Sequence, residues 1–201
     1  AFGTFRGIIL NKQIWKEKVN RKIYLIMNEE KQKLLIVLDL DETLLFTKLI
    51  RKDSYIKEEG NFCIDLEDAK YTVFIRPGAK ELIEYCQQNY YVGIWSSAKL
   101  DYVERLVEIL FDTDKLEFVK NRKDCEIIED KNFENSVVKN LNKLSYPIEK
   151  ILVIDDDAST ARFNLKNLIQ VSIFRDNLDS NDLFVVLDEI KSRSLFDDVR
   201  M

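Results

Sequence analysis

The chain carries short, continuously apolar runs that stop at polar or acidic residues. The first is Leu34-Leu35-Ile36-Val37-Leu38, closed by Asp39-Leu40-Asp41-Glu42 and Thr43. A run this short reads as a strand buried on both faces of a parallel sheet, about residues 34–39. Tyr91-Val92-Gly93-Ile94-Trp95 ends in Ser96-Ser97, and Ile151-Leu152-Val153-Ile154 ends in Asp155-Asp156-Asp157. Leu168-Ile169-Gln170-Val171-Ser172-Ile173 is the last core strand, and a short strand is expected near 124–128. Helices are expected at about 79–89, with Leu82, Ile83 and Cys86 on one face, and at about 99–111, with Tyr102, Leu106, Ile109 and Leu110 as the apolar stripe. Two more are expected at about 133–144 and 181–192. Strands alternating with helices predict an α/β fold, a parallel sheet wrapped on both faces.

Residues 46–75 interrupt the alternation. Phe62-Cys63-Ile64-Asp65-Leu66-Glu67 alternates, Asp68-Ala69-Lys70 suits a turn, and Tyr71-Thr72-Val73-Phe74-Ile75 is β-prone. That pattern predicts a small antiparallel β insertion, ended by Arg76-Pro77-Gly78. Residues 1–33 form an irregular or helical lead-in, so the chain divides into 1–33 and a domain at 34–197.

Composition narrows the chemistry. The 201 residues are 46% hydrophobic with only 5 Gly and 2 Pro, enough for one domain with a sizeable core. The net charge of −5 gives no nucleic-acid signal. The locally basic stretch Lys12, Lys16, Lys18, Arg21, Lys22, Lys31 and Lys33 reads as a solvated helix face or a fragment edge. Cys63, Cys86 and Cys125 form no C-x-x-C pair, which suggests a reducing compartment, and none has an Arg six positions on, so a cysteine-dependent phosphatase loop is absent. There is no histidine, which removes Ser-His-Asp and Cys-His catalysis and the usual zinc sites. No apolar stretch reaches membrane-spanning length. Starting at Ala1, the chain leaves room for a removed targeting segment, so localisation is weakly constrained.

Ligands of open α/β sheets bind outside the carboxyl ends of the strands. Residues two apart in an extended chain point the same way, so Asp39, Asp41 and Thr43 can face one crevice. Ser96 and Asp155/Asp156 reach the same edge from two other strands. Any one acid after a strand reads equally as a helix cap or turn residue; the set is the signal. Four carboxylates in one crevice require a cation, and oxygen ligands without His or Cys point to Mg²⁺, which usually shares a phosphate. A phosphoryl site also needs a fixed cation and hydroxyl or amide donors. Lys139, on the helix expected before the strand at 151–154, is one of several lysines, and its plain reading is a solvated face. The plain reading of Ser96 is a helix N-cap.

These residues resemble a known family. Asp39-Leu40-Asp41-Glu42-Thr43-Leu44 is similar to the D-x-D-x-T-L signature of haloacid dehalogenase phosphatases, in the form seen in the small CTD phosphatase (NLI-interacting-factor-like) branch. Arg76-Pro77-Gly78, Ile94-Trp95-Ser96-Ser97-Ala98, Asn121-Arg122-Lys123-Asp124-Cys125, Val138-Lys139-Asn140-Leu141 and Ile154-Asp155-Asp156 follow in the family's order. The resemblance implies a Rossmann-like core and a Mg²⁺-dependent protein serine/threonine phosphatase. Asp39 would be the nucleophile that becomes an aspartyl phosphate. Asp41 would be the general acid and then the base. Thr43 and Ser96 would hold phosphate oxygens or the loop, and Lys139 would neutralise the phosphoryl group. Asp155 and Asp156 would complete the metal site with Asp39 and the Asp41 backbone carbonyl. Arg122 would meet the substrate phosphate or its flanking chain. It further implies a phosphoserine or phosphothreonine protein as substrate, with the RNA polymerase II C-terminal domain as a candidate. A monomer that binds no nucleic acid directly is expected, inside the cell, in the nucleus first and the cytoplasm or mitochondrion as alternatives.

Two departures stand out. Asp156 replaces the Asn frequent in relatives. Leu49, Phe62, Ile64, Tyr71 and Lys99 match the positions that form the family's apolar pocket for a substrate proline, and Lys99 breaks its character. An ammonium there is expected to favour acidic or multiply phosphorylated peptides. The short gap between the first two motifs implies no large cap domain, hence a crevice open to a polypeptide. The rivals are a small-molecule phosphatase of the same superfamily, a non-catalytic binding module such as a mitochondrial import receptor domain, and a phospho-accepting receiver domain. The intact Asp39 and Asp41 argue against the second, and the D-x-D on one strand and the extra length against the third.

Overall fold

The computed structural model describes residues 34–50, 61–129, 135–175 and 179–200. The lead-in at 1–33, part of the insertion and the first residues of the helix expected at 133–144 lie outside these. In chain order the elements are β1 (Leu35–Leu38), β2 (Leu45–Leu49), β3 (Phe62–Asp65), β4 (Lys70–Ile75), α1 (Ala79–Asn89), β5 (Tyr91–Trp95), α2 (Leu100–Leu110), β6 (Leu116–Lys120), β7 (Glu126–Glu129), β8 (Asn135–Val138), β9 (Ile151–Asp155), β10 (Leu168–Gln170) and α3 (Asp182–Arg193). The fold is α/β. Its central sheet has five strands in the order β10-β9-β1-β5-β6, all paired in parallel.

Strand β1 sits in the middle and is wholly buried, which explains its unbroken apolar run. Its alternate residues serve two cores. Ile36 and Leu38 join Val92, Ile94, Leu152 and Ile154 on one face, where α1, α2 and α3 pack. Leu35 and Val37 join Trp95, Ile151 and Val153 on the other, where Leu141 and Ile148 contribute from two 3-10 turns. Helical segments therefore cover both faces, α-helices on one and 3-10 turns on the other. Two glycines are sterically required. Gly78 caps α1 with a left-handed φ of 83°, and a Cβ there would stand 3.2–3.3 Å from Phe184 and Leu183 of α3. A Cβ at Gly93 would stand 2.3 Å from the Phe118 ring, which lies against β5.

Strands β2, β4 and β3 form a separate antiparallel sheet in that order, the insertion expected between 46 and 75. Among the described residues it is the only sheet or helix between β1 and α1, a three-stranded insertion rather than a large cap domain.

Three expectations differ. The helix at 133–144 is absent: β8 pairs antiparallel with β7, and a 3-10 turn at Leu141–Lys143 follows. The β-branched Ile127, Ile128, Val137 and Val138 suit that two-stranded ladder better than a helix. Strand β6 was not expected; as the sheet's edge it is only partly buried and carries Glu117 and Lys120, so its apolar signal is weak. In α2 the buried seam runs through Tyr102, Val103, Leu106 and Val107. Ile109 falls about a quarter-turn from its centre, at 100° per residue, and stays 42% exposed.

Candidate active site

Parallel pairing sets the strand ends side by side. Leu38 lies opposite Ile94 and Ile154, so Asp39, Ser96 and Asp155 emerge on one edge. The amide of Asp39 donates to the carbonyl of Ile154 at 3.1 Å, which continues the ladder one residue past β1.

Lys139 follows β8 and is 1% exposed. Its Nζ donates to Asp39 Oδ1 at 2.6 Å and Asp155 Oδ2 at 2.7 Å. Burial alone would lower this ammonium, but the two carboxylates outweigh it and raise it, so it stays charged. Burial pushes the Asp39 carboxyl up while Lys139 pulls it back. Asp155 also accepts from Thr160 Oγ1 at 2.8 Å and from the Asp157 amide at 3.0 Å. Oxygens of Asp39, Asp155 and Asp156 lie within 4.8 Å of one another. Three carboxylates against one ammonium leave a charge of −2, the deficit one divalent cation would fill. The all-oxygen donor set fits Mg²⁺.

Thr43 ties the first motif to the last. Its Oγ1 donates to Asp156 Oδ1 at 2.9 Å and accepts from the Asp156 amide at 3.0 Å. Just before Thr43, Glu42 holds a left-handed φ of 61°, uncommon for a residue with a side chain. The strained turn is pinned by the Phe174 amide, which donates to the Glu42 carbonyl at 2.7 Å. Arg76, 1% exposed, clamps the same region: it donates to the carbonyls of Thr43 (3.1 Å) and Ser172 (2.8 Å) and to Asp182 Oδ2 (2.7 Å). Ser96 is buried, and its Oγ accepts from the Ala98 amide at 3.1 Å. It does not cap a helix, because α2 begins beyond Lys99.

Asp41 stands apart from the cluster. Its Oδ1 accepts a hydrogen bond from the Tyr102 hydroxyl, and burial raises its carboxyl. A cavity of about 300 Å³ opens beside it, bounded by Thr47 and Tyr71 of the small sheet, Tyr102, Ala98, Lys99 and Arg122. Of the residues expected to form a substrate pocket, Tyr71, Lys99 and Arg122 line this cavity; Leu49, Phe62 and Ile64 do not. Leu49 and Ile64 flank Tyr71 across the sheet, but Leu49 is 58% exposed and Ile64 is buried in the main core, against which Phe62 also packs. Arg122 Nε is anchored to the Ser97 carbonyl at 2.6 Å. Lys99 donates to Asp68 at 3.2 Å, both side chains exposed. Lys99 thus has an exposed carboxylate partner at the cavity rim.

Sequence reasoning missed Arg76 as a clamp, Thr160, and the hydroxyls of Thr47 and Tyr102. The Tyr102 signal was present: a tyrosine on a buried stripe needs a partner for its hydroxyl.

The chain is similar to several known proteins. Phosphatase PSR1 of Saccharomyces cerevisiae is 25% identical over 169 residues, 82% of this chain and 37% of that protein. The human carboxy-terminal domain RNA polymerase II polypeptide A small phosphatase 1 is 21% identical over 175 residues, 85% of this chain and 63% of that one. The chain thus spans less than two thirds of either relative. Among solved structures, Fcp1, an essential RNA polymerase II CTD phosphatase, matches with a TM-score of 0.55 and 17% identity over 89% of this chain and 54% of that one, a likeness of fold. The family model of NLI interacting factor-like phosphatases matches residues 34–200, from the first buried strand to past the last helix, and the chain belongs to that family.

Proposed function

We propose that the protein is a Mg²⁺-dependent phosphoprotein phosphatase that removes phosphate from serine and threonine through an aspartyl-phosphate intermediate. The observation that carries this reading is Lys139, a buried ammonium bridging Asp39 and Asp155 beside Asp156. A carboxylate must be shielded before it can approach a phosphate, and this arrangement supplies the shield.

In the first step an oxygen of Asp39 bonds to phosphorus, the bond to the substrate oxygen breaks, and Asp41 gives that oxygen a proton. In the second, Asp41 takes a proton from water, the water oxygen bonds to phosphorus, and the Asp39–phosphorus bond breaks. A divalent cation held by Asp39, Asp155 and Asp156, with the Asp41 backbone carbonyl, would screen charge on the transferring group. Lys139 neutralises Asp39 between turnovers. Ser96 accepts from the Ala98 amide and so keeps its own proton for a phosphate oxygen. The Thr43 proton is spent on Asp156, so Thr43 holds the loop. Arg122 lies at the cavity wall, where a flanking chain would pass.

A protein substrate is supported by the open crevice and by relatives named for the RNA polymerase II C-terminal domain. Such a substrate places the work inside the cell, the nucleus being the first compartment to examine. Among the described residues no helix is long and apolar enough to cross a membrane.

Asp39→Asn tests the reading. The folded variant should release no phosphate from phosphoserine peptides, because an amide is a far poorer nucleophile. Wild-type turnover should vanish with EDTA and return with Mg²⁺, and should favour phosphopeptides over sugar phosphates. Retained turnover in Asp39→Asn would refute the nucleophile, and a preference for sugar phosphates would refute the protein substrate.

A further inference from the structure

The Tyr102 hydroxyl has one proton, and it is donated to Asp41 Oδ1. The 2.9 Å contact between Tyr102 Oη and Thr47 Oγ1 must therefore run with Thr47 as donor. The result is a directed chain, Thr47 to Tyr102 to Asp41, joining β2 of the small sheet to the first turn of α2 at a single carboxylate oxygen. We propose that Tyr102, backed by Thr47, is a positioning residue that fixes the Asp41 side chain against the leaving group.

Several observations converge on this role. Tyr102 is 7% exposed, and its ring is held edge-on by Tyr71, with centroids 5.4 Å apart at 73°. The hydroxyl is thus delivered by a side chain with little freedom to swing. A tyrosine hydroxyl carries one proton, and here Asp41 is the carboxylate within its reach. Asp41 itself is only half-buried and borders an open cavity. Unlike Asp39 and Asp155, which share Lys139, and Asp156, which Thr43 holds, Asp41 has this chain as its side-chain brace among the described hydrogen bonds. With Oδ1 engaged, exchange of a proton with substrate or water falls to Oδ2. The insertion therefore has a second use: besides bounding the cavity, it supplies through Thr47 the outer end of the brace.

This inference rests on the phosphatase reading, and the experiment separates the two. Steady-state kcat and KM would be measured with Mg²⁺ for wild type, Tyr102→Phe, Thr47→Val, Asp41→Asn and the Asp41→Asn/Tyr102→Phe double variant, on a phosphoserine peptide and on p-nitrophenyl phosphate. Tyr102→Phe keeps the ring and should lower kcat on the peptide by about ten- to a hundredfold, with KM little changed. Nitrophenolate leaves without a proton, so the loss there should be several-fold smaller. Thr47→Val should shift the same ratio less, and it carries the test should Tyr102→Phe fold poorly. In the Asp41→Asn background Tyr102→Phe should cost nothing further, measured at high enzyme concentration. An unchanged kcat on the peptide, or losses that multiply in the double variant, would each make Tyr102 a core residue only. A wild type inert on both substrates, or an active Asp39→Asn, would instead overturn the phosphatase reading and this inference with it.

Discussion

The crevice has two halves built by different means. The half around Asp39, Asp155, Asp156 and Lys139 stands on the central sheet, with Asp39, Asp155 and Lys139 almost without exposure. The half around Asp41 stands between the small sheet and α2, beside a cavity whose rim carries the exposed Lys99–Asp68 pair. In the first half Asp39, Asp155 and Lys139 lean on one another almost out of reach of water, so removing Lys139 strands both carboxylates. In the second, charges at the rim are solvated and replaceable, while position is set by hydroxyls. On the proposed mechanism, the buried charges would serve the step common to any phosphate ester, and the open half would be where substrates differ.

The sharpest way to break that contrast is Lys139→Met. It should abolish turnover and, without added metal, destabilise the fold by about 3–5 kcal/mol, because two buried carboxylates lose their common partner. Urea denaturation read by circular dichroism measures the loss, and Mg²⁺ should stabilise the variant more than the wild type. A variant as stable as wild type in EDTA would mean the bridge does not carry the site.

Arg76→Met probes the clamp beneath both halves. Removing a buried guanidinium with bonds to Thr43, Ser172 and Asp182 should cost about 2–4 kcal/mol of stability. Because Thr43 holds Asp156, kcat should fall as well, in the folded protein at low temperature. Loss of stability with full activity would separate the clamp from the catalytic loop.

The smallest effect is expected at the rim. Lys99→Leu breaks an exposed ion pair, so the melting temperature should barely move and kcat/KM on any one phosphopeptide should change by less than about fivefold. A large shift in preference between acidic and proline-flanked peptides would show that the open half reads charge after all.

Much of the first half was legible in the chain. Continuous apolar runs stopped by acids can be read locally, and parallel pairing then brings their ends together. Lys139 was legible only as a family position. It lies 100 residues from Asp39, and nothing nearby in the chain marks it off from other lysines. The helix expected around it gave way to a β ladder, because pairing with β7 outweighed a local pattern. The expected pocket residues are placed only by the packing around them. In the small sheet Leu49, Ile64 and Tyr71 share a row, but which of them reaches the cavity depends on what the main core and α2 take up.

By itself, then, the sequence determined the α/β alternation, the strand ends that deliver Asp39, Ser96 and Asp155, and the oxygen-only chemistry of a chain without histidine. These follow from periodicity and composition, which are properties of neighbouring residues. The tertiary structure alone decided which cation is buried, which arginine clamps the loop, and that Thr47 and Tyr102 meet Asp41. The cost of burying a charge or a hydroxyl is met by partners distant in the chain, and only the folded packing brings those partners within reach.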